Sequence, residues 1–589
     1  MFRTKNCGEL NKKNDGQEAT LCGWVHRRRD HGGVIFIDLR DRYGLTQVKF
    51  DPKINKEAWE KGDNLRSEWV IKVKGKVVKR PDDMVNQKIK TGEIEVEAGE
   101  LEIFSQAKTP PFEVDEEKRV ETKEEIRMKY RYLDLRKPEI AEIMVKRHEF
   151  IKFIRDYLAG LNFLEVETPI LSKSTPEGAR DFLVPSRLHP GQFYALPQSP
   201  QQYKQLLMLS GLDRYFQIAK CFRDEDTRGD RQAEFTQLDL EMSFVEQEDV
   251  LALTEDLFTG AVKKTFPEKK IMFEPFTRLT HGEAITKYGT DRPDLRFGLE
   301  IKDLTEMVKG CGFKVFAEAA DKGGVVRAIC ATGAAKFSRA QIDELTNFVA
   351  DFGAKGLAYI IVKEKGEYQS PIVKFLGEKL TEKIVKEMNA KPGDIIFFGA
   401  DKEKIVRESL GELRNELARK LGLIDENILA FSFIVDFPLF EEEKVEGHFA
   451  PEHHMFTSPK DEDMELLDKD PAQVKSYQHD LVCNGCEVGG GSIRIHDRDT
   501  QEKVFELIGF KEEDKKRFGH FLRAFEYGVP PHGGIAPGID RLLMVLLNKQ
   551  SIRDVMAFPK TGDGRDLMME APGEVDEKQL KELGIKVIK

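Results

Sequence analysis

A glycine-rich segment near the end of the chain combines backbone access with a fixed positive charge. Residues 533–544 form a glycine-rich strand end that runs into an apolar helix, with Arg541 in the first turn of that helix. Glycines let the backbone approach a ligand closely, and a helix N-terminus beside a fixed cation suits a phosphate group. The segment therefore indicates phosphate binding, although such a junction is common by itself.

A charged hairpin is the second element that could carry chemistry. Residues 221–226 are followed by the polar loop 227–232, and residues 235–241 then alternate apolar and polar side chains. This pattern predicts two antiparallel strands joined by a charged loop. Further upstream, the predicted strand 163–171 contains Pro169, which cannot donate to a sheet ladder and therefore belongs at a sheet edge or an interface.

The elements before these motifs predict a small barrel. Five short apolar strands alternate with turn residues, and a helix over residues 53–61 lies between the third and fourth strands. This arrangement is typical of an oligonucleotide-binding barrel. The predicted strands cover residues 20–24, 34–39, 46–50, 69–78 and 94–103.

The middle of the chain separates the motifs from one another. A linker rich in proline and charge follows the barrel, and apolar residues at helical spacing then predict a long amphipathic helix from Ile140 to Leu161. Between about residues 278 and 423, strands alternate with helices. We interpret this region as an inserted α/β module, because the motifs lie on both sides of it.

Composition limits the class of protein. Hydrophobic residues make up 40% and charged residues 33% of the chain, which is enough apolar material for several cores and typical of a soluble globular protein. The longest apolar stretches are much shorter than the ~18 residues that a membrane-spanning helix needs. The N-terminus lacks the basic start and apolar core of a secretory signal, so we expect no membrane association and a cytoplasmic location.

Cysteine count and net charge add two further expectations. Seven cysteines with a single close pair do not form a disulfide framework, so we expect them to be reduced. The net charge of −11 argues against an anionic partner, because long-range attraction of nucleic acid needs a positive field. A global charge is an average over several domains, however, and leaves room for a local arginine-lined face.

Taken in order, the proline-containing strand, the charged hairpin and the glycine-rich junction resemble the signature motifs of class II aminoacyl-tRNA synthetases. Four further segments resemble the bacterial aspartyl-tRNA synthetase family. They are residues 130–136, 174–182, 198–205 and 489–496. The resemblance covers essentially the whole chain, including the inserted module.

This resemblance implies a multidomain α+β fold. The implied domains are an N-terminal five-stranded OB-fold β-barrel for the anticodon (1–107), a linker (108–124), an antiparallel-sheet catalytic domain in two parts (125–283 and 421–589) and an inserted α/β, GAD-like module (284–420). It also implies a homodimer, with the Pro169 strand at the interface.

The implied activity is ATP-dependent ligation of L-aspartate to tRNA-Asp through an aspartyl-adenylate, with release of AMP and pyrophosphate. Arg494 and Lys204 would bind the side-chain carboxylate of aspartate, and a guanidinium left unpaired by asparagine would be costly in a dry pocket. Acceptors for the ammonium group would come from other side chains, and His453 would close over the amino acid. The candidate acceptors are Asp239, Gln201 and Glu177.

The resemblance also assigns an ATP site. Arg223 would contact the α-phosphate and also border the aspartate, Arg541 would contact the γ-phosphate, and Phe235 would stack on adenine. Asp480 and Glu487 are hard oxygen ligands suited to Mg²⁺ that bridges phosphates. The remaining implied nucleotide contacts are Asp224, Glu225, Gln232, Glu487, Gly538, Ile539 and Asp540.

The barrel would bind the anticodon of the tRNA. Arg27, Arg28 and Arg29 would contact phosphates, Phe36 would offer a stacking surface, and Gln47 would hydrogen-bond a base edge. The alternative is a solvated arginine run beside a core phenylalanine.

Histidine at position 31, where enzymes restricted to tRNA-Asp commonly carry leucine, resembles the relaxed type that also aspartylates tRNA-Asn. We therefore hypothesise a non-discriminating enzyme, with His31, Asp82 and Asp83 as contributors.

Other interpretations of the chemical residues stay open. Cys483 and Cys486 could bind a metal or act in redox chemistry, but no second pair stands at ligand spacing. His448, His453 and His454 could form a metal cluster rather than a substrate-covering loop. In that loop, Met455 stands where the family usually has proline and Glu452 precedes the histidine pair, so its geometry is less certain.

Other functions also stay open. The chain could be an asparaginyl- or lysyl-type relative, or a catalytically silent paralogue that only binds RNA. In a lysyl enzyme, Arg494 would repel the cationic side chain of the substrate. The intact arginines argue against a silent paralogue.

Overall fold

The computed structural model describes residues 1–114, 122–175, 179–441, 444–445 and 447–588. These residues divide into two compact units, residues 1–146 with 556–573 and residues 147–555 with 574–589. Within the described residues, no helix is both long and apolar enough to cross a membrane. The domain boundaries given above remain a prediction.

The first unit contains a closed five-stranded barrel with the strand order β1-β2-β3-β5-β4. Its elements are β1 (Glu18–His31), β2 (Val34–Asp41), β3 (Gly44–Phe50), α1 (Lys56–Asp63), β4 (Val70–Lys79) and β5 (Ile94–Ser105). This confirms the predicted barrel and its helix. The strands are longer than predicted, and β1 continues through the arginine run to His31.

The β1–β2 hairpin shows how local sequence shapes the barrel face. Gly32 and Gly33 have φ angles of +61° and +86°, which the two-residue turn requires and which glycine adopts without strain. A bulge between Val25 and Arg27 shifts the register of β1 against β2. Because side chains alternate between faces, this shift turns Arg27 away from the core side that Val25 occupies.

Three helices follow the barrel along the chain. They are α2 (Glu124–Lys129), α3 (Arg131–Asp134) and α4 (Pro138–Gly160). α4 confirms the predicted amphipathic helix, and its Phe150, Ile154 and Leu158 are fully buried.

The second unit begins with the segments that carry the charged hairpin. They are β6 (Leu164–Glu165), β7 (Leu183–Pro185), β8 (Phe193–Ala195), α5 (Gln201–Leu209), β9 (Arg214–Phe222), β10 (Glu234–Ser243), α6 (Gln247–Thr265), β11 (Lys270–Ile271), β12 (Thr277–Thr280) and α7 (His281–Tyr288). β9 and β10 pair antiparallel, as predicted. The predicted strand over 163–171 is reduced to β6, which pairs parallel with β9 and ends before Pro169 is reached.

The inserted module is built on a five-stranded sheet with helices on both faces. Its elements are β13 (Ile301–Asp303), α8 (Thr305–Val308), α9 (Lys314–Asp321), β14 (Val325–Ala331), α10 (Arg339–Ala350), β15 (Ala358–Val362), β16 (Tyr368–Gln369), α11 (Val373–Leu376), α12 (Glu378–Glu387), β17 (Ile395–Asp401) and α13 (Glu403–Leu421). β14 and β15 each pair antiparallel with β17, which lies between them. The module is therefore a split β-α-β arrangement.

The chain then returns to the sheet of the charged hairpin. The last elements are β18 (Ile428–Leu429), β19 (Phe431–Val435), α14 (Leu466–Lys469), β20 (Gln478–Cys483), β21 (Cys486–Ile493), α15 (Arg498–Leu507), α16 (Glu512–Arg517), α17 (Gly519–Ala524), β22 (His532–Pro537), α18 (Ile539–Leu546) and α19 (Glu577–Glu582). The resulting eight-stranded sheet has the order β12-β19-β20-β21-β22-β10-β9-β6. This order brings β10, β22 and β21 side by side although the inserted module separates them in sequence.

Candidate active site and barrel face

A cavity of about 480 Å³ lies against the central strands of the eight-stranded sheet. Most of the predicted aspartate and ATP residues line it. They are Gln201, Lys204, Arg223, Glu225, Gln232, Phe235, Asp239, His453, Glu487, Arg494, Gly538, Asp540 and Arg541. Asp224, Asp480 and Ile539 do not line it, and Glu177 lies outside the described residues.

Two buried cations and two buried carboxylates form one network at the base of the cavity. Lys204 Nζ lies 2.7 Å from Asp239 Oδ1 and 3.2 Å from Glu241 Oε2. Arg494 donates from Nε to Glu241 Oε1 at 2.9 Å and from a terminal nitrogen to Glu241 Oε2 at 3.3 Å. The formal charges of the four groups cancel, which is the condition for burying them together.

Glu241 is the member of this network that sequence reasoning missed. Burial would raise the pKa of Glu241, but Arg494 and Lys204 lower it to about 2. The signal was present in the sequence, because Glu241 lies two residues after Asp239 on β10 and alternation places both side chains on the same face.

The network leaves donors for a substrate carboxylate. A guanidinium has five N–H groups, and Arg494 uses Nε and one terminal nitrogen for Glu241 and the other terminal nitrogen for Ser492 Oγ at 2.7 Å. Among the described residues, one N–H on each terminal nitrogen has no partner, and this pair is the end-on fork that binds a carboxylate with two hydrogen bonds. Lys204 likewise retains one of its three N–H groups.

Arg223 presents an unpartnered donor to the nucleotide end of the cavity. Its Nε is buried and has no hydrogen-bond partner in the described part of the chain. The guanidinium carbon lies 5.1 Å from the ring centroid of Phe235, so one face of that ring is covered by a cation. A buried donor without a partner is costly, and a phosphate oxygen would satisfy it.

Arg541 and Asp540 have different roles at the start of α18. Arg541 faces acceptors, with a terminal nitrogen 3.0 Å from the backbone oxygen of Glu487 and another 3.3 Å from Asp230 Oδ2. Both carboxylate oxygens of Asp540 are used within the protein, by Arg147 at 2.6 Å and by the backbone N–H of Thr236 at 2.7 Å. Asp540 therefore anchors α18 to β10, and its predicted nucleotide contact stays a prediction.

Asp480 and Glu487 lie on neighbouring strands beside His453. Burial raises the pKa of Glu487, and the nearby Asp480 carboxylate raises it further. Burial lowers the pKa of His453, but Asp480, 3.3 Å from its Nε2, and other acidic groups raise it to about 9. The two carboxylates repel each other, and a bound cation would relieve that repulsion. Their oxygen atoms are suitable ligands for Mg²⁺, which proteins hold by one or two carboxylates together with substrate phosphates.

The structure shows the surroundings of the cysteine pair and of the histidine-containing loop. Within the described residues, no group of three or more potential ligands could hold a metal ion. Cys483 and Cys486 pair across a tight hairpin whose turn residues, Asn484 and Gly485, have φ angles of 51° and 81°. The two cysteines are therefore the strand ends that flank an Asn-Gly turn. Met455 is buried in a cluster of phenylalanines that includes Phe456.

The barrel face separates the predicted anticodon residues. Arg29, opposite Phe36 in the β1–β2 ladder, shares the outer face with it, whereas Arg28 lies on the other face and pairs with Asp63 of α1. Gln47 is buried, accepts from Arg29 at 3.2 Å and donates to Glu95 at 2.8 Å. Gln47 therefore uses one acceptor and one donor of its amide within the barrel, and its contact with a base stays a prediction.

The residues predicted to discriminate between tRNAs are exposed. His31 lies at the end of β1, with its ring centroid 6.1 Å from that of Phe36, and therefore belongs to the same outer face as Arg29. Asp82 and Asp83 lie in the β4–β5 connection, and Asp82 Oδ1 is 3.1 Å from Lys79.

The sheet topology, the cation network and the glycine-rich helix start define the class of protein. The family described as tRNA synthetases class II (D, K and N) matches residues 123–562, and an OB-fold nucleic acid binding domain matches residues 19–104. The chain therefore belongs to the class II tRNA synthetases of this family.

Two relatives that match along nearly their full length carry the same name. The chain is 53% identical over 585 residues to the Aspartate--tRNA(Asp/Asn) ligase of Rubrobacter xylanophilus. The alignment covers 99% of this chain and 97% of that protein. It is 52% identical to the ligase of the same name from Syntrophomonas wolfei over the full length of both chains.

Solved structures share the fold at low sequence identity. The asparaginyl-tRNA synthetase of Pyrococcus horikoshii aligns with a TM-score of 0.58 at 20% identity, covering 95% of this chain and 99% of that chain. The aspartyl-tRNA synthetase of Entamoeba histolytica aligns with a TM-score of 0.57 at 19% identity, covering 94% and 91%.

Proposed function

We propose that this protein ligates L-aspartate to tRNA-Asp and tRNA-Asn, using ATP and an aspartyl-adenylate intermediate. The observation that carries the proposal is the end-on fork of Arg494 beside the Lys204 ammonium in a buried cavity. These donors fit a substrate with a carboxylate side chain. Relatives more than 50% identical over the whole chain carry the name Aspartate--tRNA(Asp/Asn) ligase, which supports the same assignment.

Charge balance supports the choice of aspartate. The buried network of Lys204, Arg494, Asp239 and Glu241 sums to zero, so a substrate carboxylate would add one uncompensated negative charge. His453 lines the same cavity; burial lowers its pKa, but Asp480, 3.3 Å from its Nε2, and other acidic groups raise it to about 9. A protonated His453, already paired with Asp480, would offset part of the charge of the substrate side chain, while Asp239 and Gln201 would accept from the substrate ammonium.

The first step joins aspartate to AMP. The substrate α-carboxylate attacks the α-phosphorus of ATP in line, a new O–P bond forms, and the bond to pyrophosphate breaks. Arg223 would stabilise the charge on the α-phosphate, Arg541 the γ-phosphate, and Phe235 would stack on adenine through the ring face that Arg223 leaves open. Mg²⁺ held by Asp480 and Glu487 would neutralise phosphate charge. Positioning and charge neutralisation then account for the rate.

The second step transfers the aspartyl group to the terminal adenosine of tRNA. The ribose hydroxyl attacks the adenylate carbonyl, the new ester bond forms, and AMP leaves. We infer that the departing phosphate takes the hydroxyl proton, because the described residues around it are cations and hydrogen-bond acceptors with no evident general base among them. A single carboxylate or histidine substitution that abolished transfer but spared adenylate formation would contradict this inference.

The activity is tested by exchange of labelled pyrophosphate into ATP without tRNA. We expect exchange with aspartate and at least ~100-fold less with asparagine or lysine, because neither satisfies the Arg494 fork. Exchange that preferred asparagine or lysine would identify another member of the family, and no exchange with any amino acid would identify a silent paralogue. Charging of tRNA-Asn and tRNA-Asp transcripts with aspartate then tests the relaxed specificity attributed to His31, Asp82 and Asp83.

Replacement of Phe36 tests the barrel face. Phe36→Ala is expected to raise the KM for tRNA in aspartylation by about 10-fold, because stacking of one base on an aromatic ring contributes ~1–3 kcal/mol. Exchange without tRNA should not change.

A matched aromatic control lies elsewhere on the barrel. Phe104 is exposed on β5, and its ring centroid is 5.3 Å from that of Phe2. Phe104→Ala should leave the KM for tRNA within about twofold of wild type. Equal effects of the two substitutions would mean that the outer face of β1 and β2 has no special part in tRNA binding.

We also propose a homodimer that acts in the cytoplasm. Several large apolar side chains between residues 164 and 188 are half or more exposed, which a second copy of the chain would cover. They are Leu164, Leu171, Leu183 and Leu188. The seven cysteines are free, which suits a reducing compartment.

A further inference from the structure

A chain of buried side-chain amides connects the cavity to His532. Gln201 Nε2 donates to Gln205 Oε1 at 3.1 Å, one turn later on α5. Gln205 Nε2 lies 3.1 Å from His532 Nε2 on β22. His532 Nδ1 in turn lies 2.8 Å from the backbone oxygen of Pro530. Gln205 and His532 are fully buried, and Gln201 lines the cavity.

The donor and acceptor of each hydrogen bond in this series are determined at its far end, at His532. The Pro530 carbonyl can only accept, so Nδ1 of His532 must carry the proton that it donates. A neutral His532 then has its lone pair on Nε2, which can only accept, so the atom of Gln205 facing it must be the NH₂ group. The oxygen of Gln205 therefore faces Gln201, which must present its own NH₂ group to Gln205.

The surroundings of His532 favour the neutral ring. Burial lowers the pKa of His532, and Arg494 and His496 lower it further, against the opposing effect of Glu241 on β10. A neutral ring keeps Nε2 as an acceptor at physiological pH. The oxygen of the Gln201 amide, which makes no hydrogen bond within the described residues, is the end left for the cavity.

We propose that His532 and Gln205 are positioning residues that fix the Gln201 amide with its oxygen toward the cavity, where it accepts a hydrogen bond from the substrate ammonium. This inference rests on the proposed function. It explains why an uncharged histidine is buried beside the substrate network without touching the substrate. If the Gln201 amide turned over, its NH₂ group would face the ammonium, and two donors would then oppose each other.

The test compares an amino acid with its analogue that lacks the ammonium. His532→Leu should raise the KM for aspartate in pyrophosphate exchange ~10-fold, the effect of losing one hydrogen bond to a charged group, with kcat changed less than ~3-fold. The inhibition constant of succinate, which is aspartate without its amino group, should stay within ~2-fold. His532→Gln restores an uncharged acceptor at the Nε2 position and should bring the KM for aspartate back to within ~3-fold of wild type.

A second histidine, His520 on α17, contacts another glutamine of α5 and provides the control. His520 Nε2 lies 2.9 Å from Gln202 Oε1, so His520→Leu removes a similar histidine–glutamine contact that does not reach Gln201. It should leave the ratio of aspartate KM to succinate inhibition constant unchanged. If His532→Leu does not fold, Gln205→Met removes the middle of the chain and should show the same selective loss.

The outcomes separate this inference from the proposed function. If wild-type protein lacks aspartate-dependent exchange, the proposed function is wrong. If wild type is active but the KM for aspartate and the inhibition constant of succinate rise together in His532→Leu and Gln205→Met, the two residues only support the fold. If neither constant changes, Gln201 is oriented by other contacts, and the inference is also wrong.

Discussion

Arg223→Gln should slow aspartate-dependent pyrophosphate exchange by about 10²–10³-fold. The contact with the Phe235 ring holds the Arg223 guanidinium in place before the nucleotide binds, and its buried Nε has no hydrogen-bond partner among the described residues. A charge positioned in this way stabilises the phosphoryl transition state without reorganisation, and loss of one such donor typically costs this much in kcat. The measurement is the exchange rate at saturating ATP and aspartate.

Two further variants show whether position or charge matters at Arg223. Arg223→Lys keeps the positive charge but loses the planar fork and the ring contact, so it should recover only part of the rate. Lys220 lies on the same hairpin, on β9, where it pairs with Glu234 at the surface. Lys220→Gln should therefore exchange within about twofold of wild type. An Arg223→Gln variant as active as Lys220→Gln would remove Arg223 from the mechanism.

Glu241→Gln should weaken both the fold and aspartate binding. Arg494 and Lys204 lower the pKa of Glu241 from 4.5 to about 2, and a fall of that size corresponds to ~3 kcal/mol of stabilisation. In a unit of this size, we expect the midpoint of thermal unfolding to fall by about 3 °C at pH 7. Because the side-on fork of Arg494 loses its carboxylate, the KM for aspartate should rise ~10-fold or more.

The pH dependence of stability tests whether the ionised carboxylate of Glu241 causes this stabilisation. The pKa of Glu241 is lower in the folded protein, so its contribution is complete above pH ~4.5 and is lost as pH falls from there toward about 2. The difference in unfolding midpoint between wild type and Glu241→Gln should therefore shrink below pH ~4.5. Glu234→Gln, at the partly exposed start of the same strand, should change neither midpoint nor KM. A Glu241→Gln variant as stable as Glu234→Gln at pH 7 would contradict the role of the network.

The parts of the site that could be predicted from sequence are those defined by local pattern. The charged hairpin with Arg223 and Phe235, and the glycine-rich start of α18 with Arg541, each depend on neighbouring residues and a local period. The barrel follows from short alternating strands and their turns. Glu241 belongs to the same pattern as Asp239, and sequence reasoning missed it because Arg494 was assigned to the substrate carboxylate and to no carboxylate of the protein.

The barrel face shows where local pattern was insufficient. Arg27, Arg28 and Arg29 look equivalent in the sequence, but the bulge after Val25 and the strict alternation of β1 put Arg28 on the opposite face. Gln47 looked free to read a base, yet Arg29 and Glu95 use both ends of its amide. A one-residue shift of register exchanges the two faces of a strand, so these outcomes depend on pairing rather than composition.

The amino-acid sequence by itself determined the order of the motifs, the residue types that suit phosphate and carboxylate, and the division into barrel, catalytic segments and inserted module. Only the tertiary structure decided which charges meet. Lys204 on α5, Glu241 on β10 and Arg494 after β21 come together because β10 and β21 flank β22 in the sheet. The same packing connects Gln201 to His532. The physical reason is that burial requires each charge and each amide to find a partner, and those partners lie far apart in the chain.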